Sequence, residues 1–302
     1  MKIFLPAFIL LAFSYACSTA ESGTPRDVSE VLIASDSSCK CEFNYRWMDS
    51  SRYDPAATIC NRFGLPEGYK RFENASGSFG EWLRGLPLLP EGTQVKLYNG
   101  ELKGNQGAQA AVINIDVGKT DLQQCADAVM RLRAEYLFAT KQYDKIAFNF
   151  TSGDRLEYSN WAKGKRIKVN PAGTKTFVAW DGEKHNVSDH DAFRSYMNSI
   201  FCYAGTLSLS REMKTIPLDS MKPGDVFIHG GTPGHAVLIV DMAVNAKGEK
   251  LFMVAQSYMP AQQMHVLKND VDKKISPWYK AGAGDELDSP EYVFSWDELK
   301  RF

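Results

Sequence analysis

Two residues of this chain have the types and settings that nucleophilic chemistry needs. Cys125 lies in Thr120-Asp121-Leu122-Gln123-Gln124-Cys125-Ala126-Asp127, after the apolar run Ala111-Val112-Ile113-Asn114-Ile115. His235 lies in Pro233-Gly234-His235-Ala236-Val237-Leu238-Ile239-Val240-Asp241, at the head of a strongly apolar segment. A thiol attacks a carbonyl only as thiolate, and the partial positive charge of a helix N-terminus favours that form. An imidazole takes or shares the proton and later protonates the leaving amine. If the fold joins the two, the pair is that of a cysteine hydrolase. If it does not, Cys125 is a core cysteine on an apolar helix face and His235 a strand-end hydrogen-bonding residue.

The elements that must position them are legible. Asp121 with Gln124 fits a relaxed capping box, and Leu122, Cys125, Ala126, Val129, Leu132, Tyr136 and Leu137 recur at helical spacing. This places Cys125 in the second turn, with Arg131, Arg133 and Glu135 mostly on the other side. Strands are expected over 226–229, 235–243 and 251–257, with Asn245-Ala246-Lys247-Gly248 as a hairpin turn. A turn centred between Ala246 and Lys247 sets Val237 opposite Gln256 and His235 opposite Tyr258. His235, Val237, Gln256 and Tyr258 then share a sheet face. Gln256, diagonal to His235, can accept from one ring nitrogen and leave the other for sulfur. A one-residue slip would break this placement. Asp241 has the right parity but lies ~20 Å along the strand. His229 is a rival base, and Gln256 as a buried amide satisfying loop backbone is the plainer alternative.

Elsewhere, Phe79 to Arg84 reads as a short helix, Val95 to Tyr98 as a strand before an Asn99-Gly100 turn, and 110–115 and 146–150 as strands. A second long helix is expected over 191–203, with Cys202 buried in it. Tyr158 and Trp161 lie in a loop-rich stretch. With Trp180, Trp278 and Tyr279 they either line a sugar- or peptide-binding cleft or belong to core and rim. His185, Asp189, His190 and Asp191 read as a polar loop rather than a metal site. Helix first and antiparallel strands after is an α+β order.

The first residues read as an export signal. Lys2 precedes the apolar run Ile3 to Phe13, too short to span a bilayer. Ala16-Cys17 after that run resembles the lipobox of bacterial lipoproteins, which implies cleavage before Cys17 and lipidation of its thiol; ordinary secretion is the alternative. The expected organisation is a signal peptide (1–16), a lipid-anchored tether (17–40), an N-terminal extension packed on the core (41–109) and the main α+β domain (110–302). Apolar residues at 44% and charged residues at 24% are ordinary globular values, and a net charge of −1 leaves no basic excess for nucleic acid. Of the six cysteines, Cys39 or Cys41 could bridge to Cys60 in an oxidising envelope. Three thiols without a histidine make a weak zinc set, so no metal and no cofactor is expected.

Pro223-Gly224-Asp225-Val226-Phe227, Gly234 to Ile239 and Val254-Ala255-Gln256-Ser257 resemble the strand segments of NlpC-type and CHAP-type peptidoglycan amidases and endopeptidases. Gln124-Cys125-Ala126-Asp127 resembles the CHAP-type start of the nucleophile helix. The likeness covers residues 110 to 270. It implies a papain-like α+β core with a helical insertion that includes 191–203. It also implies a catalytic Cys125, His235 and Gln256; Tyr258, Trp161 and Tyr158 are the residues expected toward substrate. The whole chain is also similar to a family of uncharacterised bacterial exported lipoproteins, through Arg131 to Leu137 and Ala255 to Gln262. Two classes of function follow. One is an enzyme of the cell envelope that cleaves peptidoglycan stem peptides, touching the membrane only through its lipid. The other is a non-catalytic lipoprotein that binds peptide or glycan in the same cleft. A transglutaminase-like or acyltransferase site would differ only in its acceptor.

Overall fold

The computed structural model describes residue 39, residues 42–173 and residues 175–302. The signal peptide, Cys17, Cys41 and most of the tether lie outside the described residues. The helices are α1 (Ile59–Arg62), α2 (Phe79–Arg84), α3 (Cys125–Ala139), α4 (Tyr158–Ala162), α5 (His190–Phe201) and α6 (Thr206–Glu212). The strands are β1 (Tyr69–Arg71), β2 (Gln109–Val112), β3 (Ala147–Asn149), β4 (Arg155–Glu157), β5 (Lys165–Val169), β6 (Thr176–Trp180), β7 (Lys214–Thr215), β8 (Val226–His229), β9 (His235–Asn245), β10 (Lys250–Gln256), β11 (His265–Leu267), β12 (Tyr279–Lys280), β13 (Glu286–Ser289), β14 (Tyr292–Ser295) and β15 (Leu299–Arg301). The chain is a mixed α and β fold.

Its centre is a nine-stranded antiparallel sheet in the order β2-β11-β10-β9-β8-β15-β7, with β1 added to β9 and β12 to β10. Strand β9 can lie in the middle because it is apolar on both sides. Its residues from His235 to Ala243 are all buried. Ala236, Leu238 and Val240 face the layer of α3, α2 and the helices beyond, whereas Val237, Ile239 and Met242 face Phe227, Phe252, Leu287 and Phe294. Each such valine, leucine, isoleucine or methionine side chain contributes about 1.5–3 kcal/mol by leaving water. The separate hairpin β13–β14 covers the second face.

The turn before β10 falls one residue later than expected, since Val244 pairs with Lys250 and Ala243 with Leu251. A β-bulge corrects it. Asp241 pairs with Met253, but Ile239 pairs with Val254, so Val240 is the extra residue. Beyond the bulge Leu238 faces Ala255, and one further step sets Val237 against Gln256, the register the sequence suggests.

Helix α3 starts later than its sequence box implies. Its N-cap is Gln124, whose backbone N–H donates to Asp127 Oδ2 at 3.1 Å. Asp121 is occupied elsewhere: its Oδ1 accepts from Gln124 Nε2 at 3.0 Å and from the Ala261 N–H at 2.6 Å. Cys125 is therefore the first helical residue, not a second-turn one. Arg131 and Glu135 are fully buried rather than solvent-facing. Arg131 Nε donates to Glu135 at 2.6 Å, Arg131 also reaches Gln123 and Asp116, and His190 lies 3.0 Å from Glu135. The helix is enclosed because the sheet lies on one side and α4, α5 and their aromatics on the other.

Residues 95–98 form isolated bridges, Lys96 to Leu102 and Leu97 to Gln262, rather than a strand of the sheet. Cys39 is disulfide-bonded to Cys60. Cys202 caps the C-terminus of α5 and is exposed, against its expected burial. Among the described residues, no helix is long and apolar enough to cross a membrane.

Candidate active site

The site gathers at the head of β9. Cys125 occupies the first position of α3, where backbone N–H groups have no intrahelical partner. Its sulfur faces the N–H groups of Ala126, Cys125 and Ala236, the last being the neighbour of His235. Burial outweighs these donors. With the field of Asp127 added, it pushes the thiol up to about 11. Asp127 is itself buried, with Oδ1 left without a partner, and burial raises its carboxyl to about 8 against the N–H of Gln124.

His235 is 1% exposed and Gln256 2%. The His235 Nε2–H donates to Gln256 Oε1 at 2.7 Å. Burial pulls the imidazole down to about 4, against the support of that bond and the field of Glu291. Thiol and imidazole are thus both neutral at rest.

Helix α3 packs on the face of Ala236 and Leu238, while His235 has the parity of Val237 and Ile239 on the other face. No hydrogen bond joins Cys125 to His235 among the described residues. What they share is neighbours. The rings of Tyr258 and Tyr292 stand 4.8 and 5.2 Å from that of His235, and both phenols lie within electrostatic reach of the Cys125 sulfur. Phe294 completes the box around the imidazole at 5.9 Å.

The loop after β10 is bound to the loop before α3. Ser257 Oγ donates to the Gln123 carbonyl at 3.1 Å, and Asp121 holds the Ala261 N–H. This explains the physical work of Gln256-Ser257-Tyr258-Met259-Pro260-Ala261: it seats Tyr258 beside the site.

Other sequence candidates lie elsewhere. Tyr158 and Trp161 sit in α4, 0% and 4% exposed, not in a loop near Cys125. Tyr158 donates to the carbonyls of Val187 and Asp189, and Trp161 stacks under Arg166. Trp278 and Tyr279 are also core residues; Trp180 is exposed on β6. His229 is paired directly opposite His235, but its Nδ1 meets Glu298 and its side chain is half exposed. Asp241 is saturated by Arg71 and Arg84.

Four groups around His235 escaped the sequence reading: Lys103, His265, Glu291 and Tyr292. His265 could have been found, since it pairs directly with Gln256 across β10–β11. Glu291 sits at the tip of the β13–β14 hairpin, and Lys103 lies ahead of β2; only tertiary contact brings them in.

No curated protein and no solved structure matches the chain. Residues 59–301 match the model of a domain of unknown function, DUF4846. With that much of its length matched, the chain belongs to the DUF4846 family.

Proposed function

We propose that the protein is a cell-envelope cysteine hydrolase with a papain-like core, cleaving amide bonds of peptidoglycan stem peptides and held at the membrane by lipid on Cys17. The observation that carries this reading is the hydrogen bond from His235 Nε2 to Gln256 Oε1, together with a thiol at a helix N-terminus that has Tyr258 and Tyr292 as neighbours in common with that imidazole. It leaves Nδ1 as the basic nitrogen. The sequence likeness to NlpC-type and CHAP-type enzymes supplies the substrate class.

In this mechanism the thiol is deprotonated only as it attacks. A preformed thiolate–imidazolium pair is disfavoured with the thiol near 11 and the imidazole near 4. Substrate entering between Tyr258 and Tyr292 brings the carbonyl to sulfur. The mechanism requires His235 Nδ1 to come within hydrogen-bond reach of the sulfur, where it takes the thiol proton as the C–S bond forms. The carbonyl oxygen becomes an oxyanion facing the backbone N–H of Cys125, which the sulfur gives up as it attacks. The imidazolium then protonates the departing amine, and water, activated by the same nitrogen, releases the acid from the thioester.

The test is incubation with purified peptidoglycan fragments and mass analysis of the products. Cys125→Ala should abolish turnover. His235→Ala should lower kcat/KM by about 10²–10⁴. Gln256→Ala should cost less, because it removes orientation and not the base. Full turnover by folded Cys125→Ala would remove the catalytic reading. The second reading, a binding module, is favoured by a thiol only 8% exposed; it is distinguished by fragment binding without turnover.

A further inference from the structure

His235 ends a chain of polar groups, buried at Gln256, His265 and Lys103 and half-buried at Glu291, that begins far upstream. Gln256 Nε2 donates to Glu291 Oε2 at 2.5 Å. A carboxylate can only accept, so the amide nitrogen must face Glu291 and the amide oxygen must face His235. That oxygen also only accepts. The proton of the neutral imidazole is therefore on Nε2 and the lone pair on Nδ1.

Glu291 is held in turn. Lys103 Nζ donates to its Oε2 at 2.5 Å, and Asn105 Nδ2 to its Oε1 at 3.2 Å. Lys103 Nζ also lies 3.4 Å from His265 Nε2, and Gln256 Nε2 lies 3.3 Å from the same atom. Both are donors, so His265 Nε2 must accept. Its Nδ1, 2.9 Å from the Gln263 carbonyl, must carry the proton. Glu291 is 3.9 Å from His265 Nε2, too far for a hydrogen bond. The two imidazoles on either side of Gln256 are thus required to be opposite tautomers.

We propose that Glu291, anchored by Lys103, is a positioning residue that locks the Gln256 amide and through it holds His235 as the Nε2–H tautomer, with His265 held as Nδ1–H. Its importance for turnover rests on the hydrolase reading; the tautomer pattern does not. Three segments build the chain: the stretch before β2, the β10–β11 pair and the tip of β13–β14. Burial lowers the pKa of Lys103 against its partner, whereas at Glu291 the bonded Lys103 ammonium works against burial and holds the carboxyl below its ordinary range. The pair stays ionised and the imidazoles stay neutral, so the enclosed charges cancel.

The experiment is a multiple-bond proton–nitrogen correlation on ¹⁵N-histidine-labelled protein at neutral pH. His235→Gln and His265→Gln assign the two rings. The expected spectrum has His235 protonated at Nε2 and His265 at Nδ1. The same tautomer in both rings, or His235 protonated at Nδ1, overturns the proposal. The double variant Lys103→Met, Glu291→Leu removes both charges at similar volume. It should shift His235 to a mixture of tautomers and lower kcat about tenfold with KM little changed. A folded double variant with His235 still wholly Nε2–H also overturns the proposal. If it does not fold, the wild-type spectrum decides alone. Absence of turnover with the tautomers as stated removes the hydrolase reading and leaves the positioning chain standing.

Discussion

Cys125 and His235 are separated in chemistry by burial more than by any partner. The resting state is neutral thiol and neutral imidazole, and two consequences follow. In the hydrolase proposed above the base is competent only when unprotonated, and burial holds its pKa near 4. The kcat/KM profile should therefore rise through about pH 4 and stay level to neutrality; an acid limb near the ordinary value of 6.5 would contradict the buried setting. The same shift acts on stability. The folded imidazole is less basic than the unfolded one, so the unfolded state binds the extra proton, and stability falls as pH drops from 6.5 toward 4. Thiol reactivity is the second consequence. Cys202 is exposed, while Cys125 is buried with its pKa raised to about 11. Iodoacetamide at neutral pH should label Cys202 first in native protein, with mass mapping to read the order. Faster labelling of Cys125 would mean a more open and more acidic thiol than the fold provides.

At the scale of elements, the site depends on two backbone devices. The bulge at Val240 offsets the one-residue delay of the β9–β10 turn, and without it His235 and Gln256 would project to opposite faces. The Pro-Gly-Asp turn before β8 is the other. The Gly224 N–H donates to the Ile239 carbonyl and the Ile239 N–H to the Asp225 carbonyl. Asp225 is buried, accepting from the Lys222 N–H and from Arg301. Gly224 has φ +94°, and an added Cβ would stand 2.7 Å from a ring carbon of Phe79. Gly224→Ala meets both backbone strain and a clash with α2. It should lose on the order of 2 kcal/mol in urea unfolding. A loss under about 0.5 kcal/mol, the scale of a neutral surface change, would show that turn and helix yield easily.

Across the whole molecule, the N-terminal stretch is built into the sheet domain. Strand β1 pairs with β9, Trp278 Nε1 donates to the Gly64 carbonyl, and Lys103 reaches the polar chain behind His235. The strongest tie is Asp241. Fully buried on β9, it accepts from Arg71 of β1 and Arg84 of α2, which also hold carbonyls of Cys60, Phe63 and Phe72. Removing one member of a buried ionic group leaves its partners without compensation and costs about 3–5 kcal/mol. Asp241→Ala should be destabilised by that amount in chemical denaturation, with its midpoint shifted and its slope kept. A change near zero would show that the arginines find water.

The sequence by itself determined the central strands of the sheet. The strands expected over 226–229, 235–243 and 251–257 are observed as Val226–His229, His235–Asn245 and Lys250–Gln256, because continuous β-branched and apolar runs leave few alternatives. The short helix Phe79–Arg84 and the long helix in 191–203 were legible from periodicity and their breakers. The start of α3 was not, because two overlapping boxes compete over residues 121–127 and a tertiary bond to Ala261 takes Asp121 out of contention. The sequence also could not tell that Arg131 and Glu135 are interior, since enclosure of α3 is set by what packs on its far side. Tyr158 and Trp161 were drawn to the site by their chemistry, yet α4 and α5 bury them in an aromatic cluster of their own. Only the tertiary structure supplied Lys103, Glu291 and Tyr292, because their link to His235 is made by the docking of a distant hairpin, and sequence spacing carries no trace of it.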